Sequence, residues 1–195
     1  MPFPAKRVLT LAMIGLAIPC VAAAAAAPTH DMLARHSQWI TVKGGYAKSG
    51  VPDSPDANLG FGLTYSWFFK RQMSVAAAVQ YDVLGRYQGP AEVEIPVTVE
   101  GTYHFEWPTQ AIPYMGLGTG YAFHSYKYTG DDSQERRWIG YVLGGIDLPV
   151  SEHALLGVDL RLEWETGGKS DNPWFPSDDN TVMHSSFKLS YTYGF

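Results

Sequence analysis

His184 and Ser186 stand two residues apart near the end of the chain, and Glu163 and Glu165 lie on the stretch before them. A serine becomes a nucleophile when a base is in hydrogen-bond reach and a carboxylate orients that base. The set therefore reads as a rival acyl-hydrolase site, with Ser186 attacking and His184 taking its proton. His124 and Ser125 are chain neighbours, so on a strand they face opposite ways and cannot cooperate directly. A second chemistry-bearing set is ionic: Lys43, Asp82, Glu100, Asp159, Arg161, Glu163 and Lys188 stand among small or polar residues. Such charges form either a salt-bridge plug or an ion path. The histidines (His30, His36, His104, His124, His153, His184) show no metal-ligand spacing, so neither metal nor cofactor is expected. The pairs Asp131-Asp132 and Asp178-Asp179 read as solvated acids rather than Ca²⁺ ligands.

The elements that must carry these residues are strands, because apolar residues recur every second position. In the last nine residues Phe187, Leu189, Tyr191, Tyr193 and Phe195 alternate with Lys188, Ser190, Thr192 and Gly194. One face is thus wholly apolar and the other small or polar. Leu59, Phe61, Leu63, Tyr65 and Trp67 repeat the pattern, as do Val75 to Val83, Val93 to Val99 and Leu156 to Trp164. Strands are expected at 37–47, 57–67, 73–83, 91–106, 111–123, 137–147, 154–165 and 181–195. The sixth is irregular, since Ile139, Tyr141, Leu143 and Ile146 cross phases; a bulge near Gly144-Gly145 is the expected cause. Trp39 is also out of phase.

Residues 1–27 read as a secretory signal peptide, with Lys6 and Arg7 before an apolar run and alanines supplying A-x-A cleavage sites. The apolar run falls short of the ~20 residues a spanning helix needs. Cys20, the only cysteine, leaves with the signal, so disulfides and thiolate ligands are not expected. Residues 28–36 form a short N-terminal segment, and 37–195 a single domain. The net charge of −5, more negative after cleavage, argues against nucleic acid as a partner.

Short turns at 68–72, 107–110 and 148–153 alternate with longer polar loops at 48–56, 84–90, 124–136 and 166–180. Outer-membrane barrels have this asymmetry, with short periplasmic turns and longer outer loops. With strands alternating up and down, Trp67, Phe68, Tyr103, Phe105, Trp107, Tyr193 and Phe195 gather at the short-turn rim. Tyr46, Tyr81, Tyr121, Phe123, Trp138 and Trp164 gather at the other. Two aromatic belts are what interfacial anchoring requires. A soluble lipocalin-like barrel would instead put the apolar face inside. The fold class expected is all-β: an eight-stranded antiparallel up-and-down transmembrane β-barrel.

At 95–121 the chain reads Ile-Pro-Val-Thr-Val-Glu-Gly-Thr-Tyr-His-Phe, a short turn, then Ile-Pro-Tyr-Met-Gly-Leu-Gly-Thr-Gly-Tyr. This resembles the middle hairpin of the small eight-stranded outer-membrane barrel superfamily that includes OmpX and the OmpA membrane domain. With the leader and the Phe-terminated strand, the resemblance covers the whole mature chain. It implies export to the outer membrane of a Gram-negative cell and contact with outer-membrane lipid and lipopolysaccharide. It also implies assembly by the β-barrel machinery, with Tyr191, Tyr193 and Phe195 in the signal that machinery reads. Members include adhesion or invasion factors, structural anchors and proteins without assigned activity, while some other outer-membrane barrels hydrolyse lipid A acyl chains. The strands stop at eight, so a peptidoglycan-binding domain and its anchoring role are not expected.

The phase of strand eight places His184 and Ser186 with Lys188 in the lumen, away from any acyl chain. An eight-stranded lumen is only wide enough for its own side chains, so the ionic set is expected to plug it. Lys43, Glu100, Arg161 and Lys188 fall at similar heights. The function expected is that of a monomeric, non-enzymatic structural or surface-contact barrel without a general pore. Its contact surface is Trp174 and Phe175 in Asn172-Pro-Trp-Phe-Pro176, its ligand unnamed. A lipid A hydrolase and a narrow small-solute channel are the alternatives.

Overall fold

A computed structural model describes residues 32–49, 58–86, 91–107, 109–127, 132–166 and 182–195. Signal residues 1–27, loop residues Trp174 and Phe175, and the acids Asp131, Asp178 and Asp179 lie outside them. Eight strands run in chain order: β1 Gln38–Lys48, β2 Asn58–Lys70, β3 Met73–Arg86, β4 Ala91–His104, β5 Ile112–Lys127, β6 Asp132–Pro149, β7 Ala154–Thr166 and β8 Val182–Gly194. Each pairs antiparallel with the next, and β1 pairs with β8 to close the barrel. Every strand meets or exceeds the roughly 9–11 residues needed to cross a bilayer at a tilt.

Alternation decides which way each side chain points. Leu59, Phe61, Leu63, Tyr65 and Trp67 of β2, Phe187, Leu189, Tyr191 and Tyr193 of β8, and Phe195 just after it, are all exposed on the outer wall. Thr64, Ser66, Lys188, Ser190 and Thr192 of the same strands are buried inside. An apolar wall this continuous suits lipid and not water. Phe195 completes the wall through its backbone, exchanging hydrogen bonds of 2.9 and 3.0 Å with Gln38.

Three expectations are corrected. No register shift occurs at Gly144-Gly145; β6 pairs continuously with both neighbours. The phase crosses because Ile139, Tyr141 and Leu143 are apolar residues on the inner face, all buried, whereas Ile146 points out. The register shifts lie instead between Phe68 and Lys70 and between Val83 and Gly85. The loop expected over 124–136 is largely strand: β5 runs to Lys127 and β6 starts at Asp132, their pairing continuing to the last residue of each. The strand β3 likewise reaches Arg86.

The third correction concerns Phe68, which leaves the aromatic belt for the lumen. It is fully buried with Met32, Leu33, Trp39 and Leu155, and Ile112 packs against them. This cluster also accounts for the phase of Trp39. The Trp39 and Phe68 rings lie 4.6 Å apart, and the indole nitrogen donates to the Met32 carbonyl at 3.0 Å. Residues before β1 thus fold across the short-turn mouth. Their backbone is tied to the barrel by His36 N–H to Phe68 C=O at 2.7 Å and Gln72 N–H to Leu33 C=O at 3.1 Å. His36 and Gln72 hold positive φ (73° and 68°) to make these bends.

Candidate functional site

Above the apolar plug the lumen is filled with charge. Lys43 Nζ reaches Asp159 Oδ2 at 2.9 Å, and the Tyr114 hydroxyl donates to the same oxygen at 2.8 Å. Lys188, fully buried, donates to both oxygens of Asp82 at 2.6 and 2.9 Å and also to Gln80. The Tyr141 hydroxyl donates to Glu100 Oε2 at 2.9 Å. The Arg161 guanidinium sits 3.4 Å above the Tyr141 ring, and its Nη2 lies 2.5 Å from Glu163 Oε2. Buried ions demand such pairing, since an unpaired one costs several kcal/mol.

All seven charges singled out from the sequence face the lumen, but they do not form one ring. Tyr141 joins Glu100 to Arg161, while Lys43 and Lys188 each take their own aspartate. The sequence marks Tyr141 only as a residue that crosses phase, and Tyr114 only as part of the hairpin motif. Their signal was present in the glycines paired with them across the β5–β6 ladder: Gly118 faces Tyr141, and Gly145 faces Tyr114. A Cβ on Gly118 would fall within the Tyr141 ring. Gly118→Ala is therefore expected to overpack the lumen and lower stability by about 1–3 kcal/mol. The urea midpoint of the refolded barrel checks this; an unchanged midpoint would show that Tyr141 has room to move.

Two small spaces remain within the lumen. One of about 30 Å³ is lined by Thr41, Lys43, Glu100, Tyr114 and Asp147. The other, about 10 Å³, is lined by Asp82, Glu94, Arg161, Glu163 and His184. One water needs about 10–15 Å³ on this measure, so these spaces fit single waters or ions.

Toward the long-loop rim a second cluster appears, which sequence spacing hid because four strands supply it. Glu94 of β4 faces His124 of β5 across the ladder. His124 Nε2 lies 2.8 Å from Glu165 Oε1, and His184 Nε2 lies 3.5 Å from the same oxygen. Arg137 holds Glu165 Oε2 at 3.1 Å and Glu135 at 2.8 Å. The hydrolase pair fares differently. Neither nitrogen of His184 nor Ser186 Oγ makes a hydrogen bond among the described residues, so the two are not bonded to each other.

With this geometry in place, the barrel can be set beside known structures. The crystal structure of Neisserial surface protein A superimposes with a TM-score of 0.68 at 12% identity, covering 81% of this chain and 97% of that one. The fold is that of the small outer-membrane barrels. A second such barrel, the N-terminal domain of Pseudomonas aeruginosa OprF, matches with a TM-score of 0.57 at 12% identity, over 83% of this chain and 98% of the other. Ail, the attachment invasion locus protein of Yersinia pestis, gives 0.52 at 14% identity, over 83% and 99%. No family model matches the chain, and no curated protein does. At these identities the small-barrel likeness speaks for the fold alone.

Proposed function

We propose that this protein is an integral outer-membrane barrel with a structural or surface-contact role, and that it conducts no general solute flow. The observation that carries this reading is the filled lumen: an apolar plug at one mouth, then ion pairs between strands that are not neighbours in the sheet. A channel needs a continuous wet path, and the spaces found in the lumen among the described residues, about 30 and 10 Å³, are of water size. What remains for contact is the lipid-facing wall and the outer loops, with Trp174 and Phe175 as the proposed loop contact. Outer-membrane lipid and lipopolysaccharide are the partners of the wall. The barrel-assembly machinery reads Tyr191, Tyr193 and Phe195, which lie exposed along the last strand.

Planar-bilayer recording of the refolded barrel tests the lumen. The expected trace shows no persistent conductance steps; large, stable steps abolished by Arg161→Ala would replace this reading with a transport one. Mass spectrometry of lipid A from cells with and without the protein tests the enzymatic alternative. Acylation is expected to be unchanged, because Ser186 and His184 share the inner face with Lys188 and are not bonded to each other. Loss of an acyl chain that depends on Ser186 would reverse that conclusion.

A further inference from the structure

We propose that the outer third of the lumen is a binding site for one divalent metal ion of the zinc class. Its ligands are Glu94, His124 and Glu165, with His184 as the fourth. One donor atom from each of Glu94, His124 and Glu165 lies within 4.8 Å of the others, and all three residues are buried. Donors around a tetrahedral zinc, at about 2.0–2.2 Å from the metal, stand roughly 3.4 Å apart. Drawing the three together therefore requires a side-chain movement of about 1 Å or less each. His184 Nε2 stands at that spacing from Glu165 Oε1 alone, at 3.5 Å, and must swing in toward the other two donors to complete the set.

Independent of this geometry, Glu94 has a carboxylate oxygen that is left bare. It is only 2% exposed, and its Oε1 finds no hydrogen bond among the described residues. Both nitrogens of His184 are in the same condition, and the residue is 6% exposed. Buried polar atoms are ordinarily satisfied, and a buried carboxylate is the costliest kind to leave bare. Glu163 and Glu165 lie on the strand beside His184, with Arg161 and Arg137 on their other oxygens. A cation at the centre of the cluster would satisfy Glu94 and give His184 a bond.

The donor types narrow the metal. Imidazole nitrogen with carboxylate oxygen suits first-row ions such as Zn²⁺, Co²⁺ or Ni²⁺, whereas Ca²⁺ and Mg²⁺ take oxygen donors. Arg137 fits the role of an outer-shell partner. By holding Glu165 Oε2, and being held in turn by Glu135, it leaves Oε1 aimed at the two histidines. The cluster stands near the long-loop mouth, on the side away from the apolar plug.

The test uses untagged full-length barrel, refolded and stripped with chelator, so that no affinity-tag histidines contribute. Calorimetric titration with Zn²⁺ should show one saturable equivalent, and Co²⁺ should give the visible bands of a four-coordinate site. Glu94→Gln and His124→Gln should each weaken binding more than the about 10–100-fold that an outer-shell change costs, and Arg137→Gln by about that amount. His153→Gln, at the opposite rim, should bind like the parent. Migration of unheated samples on gels verifies that each variant folds. Should the variants fail to fold, the parent decides alone: Zn²⁺ must raise its unfolding temperature in proportion to occupancy. Absence of saturable binding, absence of that rise, or equal affinity in folded Glu94→Gln and His124→Gln overturns the proposal.

Discussion

Lys188→Ala is expected to destabilise the barrel by about 3–5 kcal/mol, among the largest effects of any single lumen substitution. The ammonium is fully buried and bonded to both oxygens of Asp82 and to Gln80. Removing it leaves Asp82, itself 5% exposed, as an uncompensated charge between strands. The cost thus belongs more to the orphaned carboxylate than to the lost bond. A double replacement, Lys188→Met with Asp82→Leu, is expected to recover most of the loss, since apolar pairs of similar volume substitute well for buried ion pairs. Urea titration of the refolded protein in lipid, followed by tryptophan fluorescence, measures both. A single-variant cost below about 1 kcal/mol would mean that Asp82 finds another partner or sheds its charge.

Trp39→Ala is expected to cost about 3–5 kcal/mol, the usual range for emptying an aromatic core position. Its indole packs on Phe68 and, at 5.0 Å, edge-on against His104, so truncation removes the centre of the plug. It also removes the hydrogen bond that holds Met32, and the segment before β1 should become cleavable by added protease while the barrel remains intact. Trp39→Phe should keep most of the packing and lose only the hydrogen bond, a cost of about 0.5–1.5 kcal/mol. If Trp39→Ala leaves both the urea midpoint and protease resistance unchanged, the plug contributes little to sealing that mouth.

The fold was legible because period-two patterning is a local signal and most strands agree on its phase. What escaped were the places where the two faces break their rule. Phe68 looks like a belt residue and Trp39 stands out of phase, because the barrel end needs apolar filler where no lipid reaches. Tyr141 and Tyr114 look misplaced until their partners Gly118 and Gly145 are counted, because a large side chain inside must be matched by a small one beside it on the neighbouring strand. The ionic residues could be assigned to the lumen by phase alone. Their partners could not, since strand tilt decides which charge on one wall meets which on the other. For the same reason the Glu94, His124 and Glu165 cluster has no motif: β4, β5 and β7 each contribute one donor at unrelated spacing.

Thr41 and Thr192 share a hydrogen bond of 2.8 Å across the junction of β1 and β8, though 151 residues separate them along the chain. The first strand therefore waits for the last, and the barrel cannot close until β8 has been delivered. Contacts this remote are slow to form, since the whole intervening chain must be ordered before they reward it. A chain cut short before β8 would be an open sheet with two raw edges and an oily back, a template for aggregation rather than a smaller barrel. Completion is thus all or nothing, and the final aromatic strand is the latch that ends the chain's exposure.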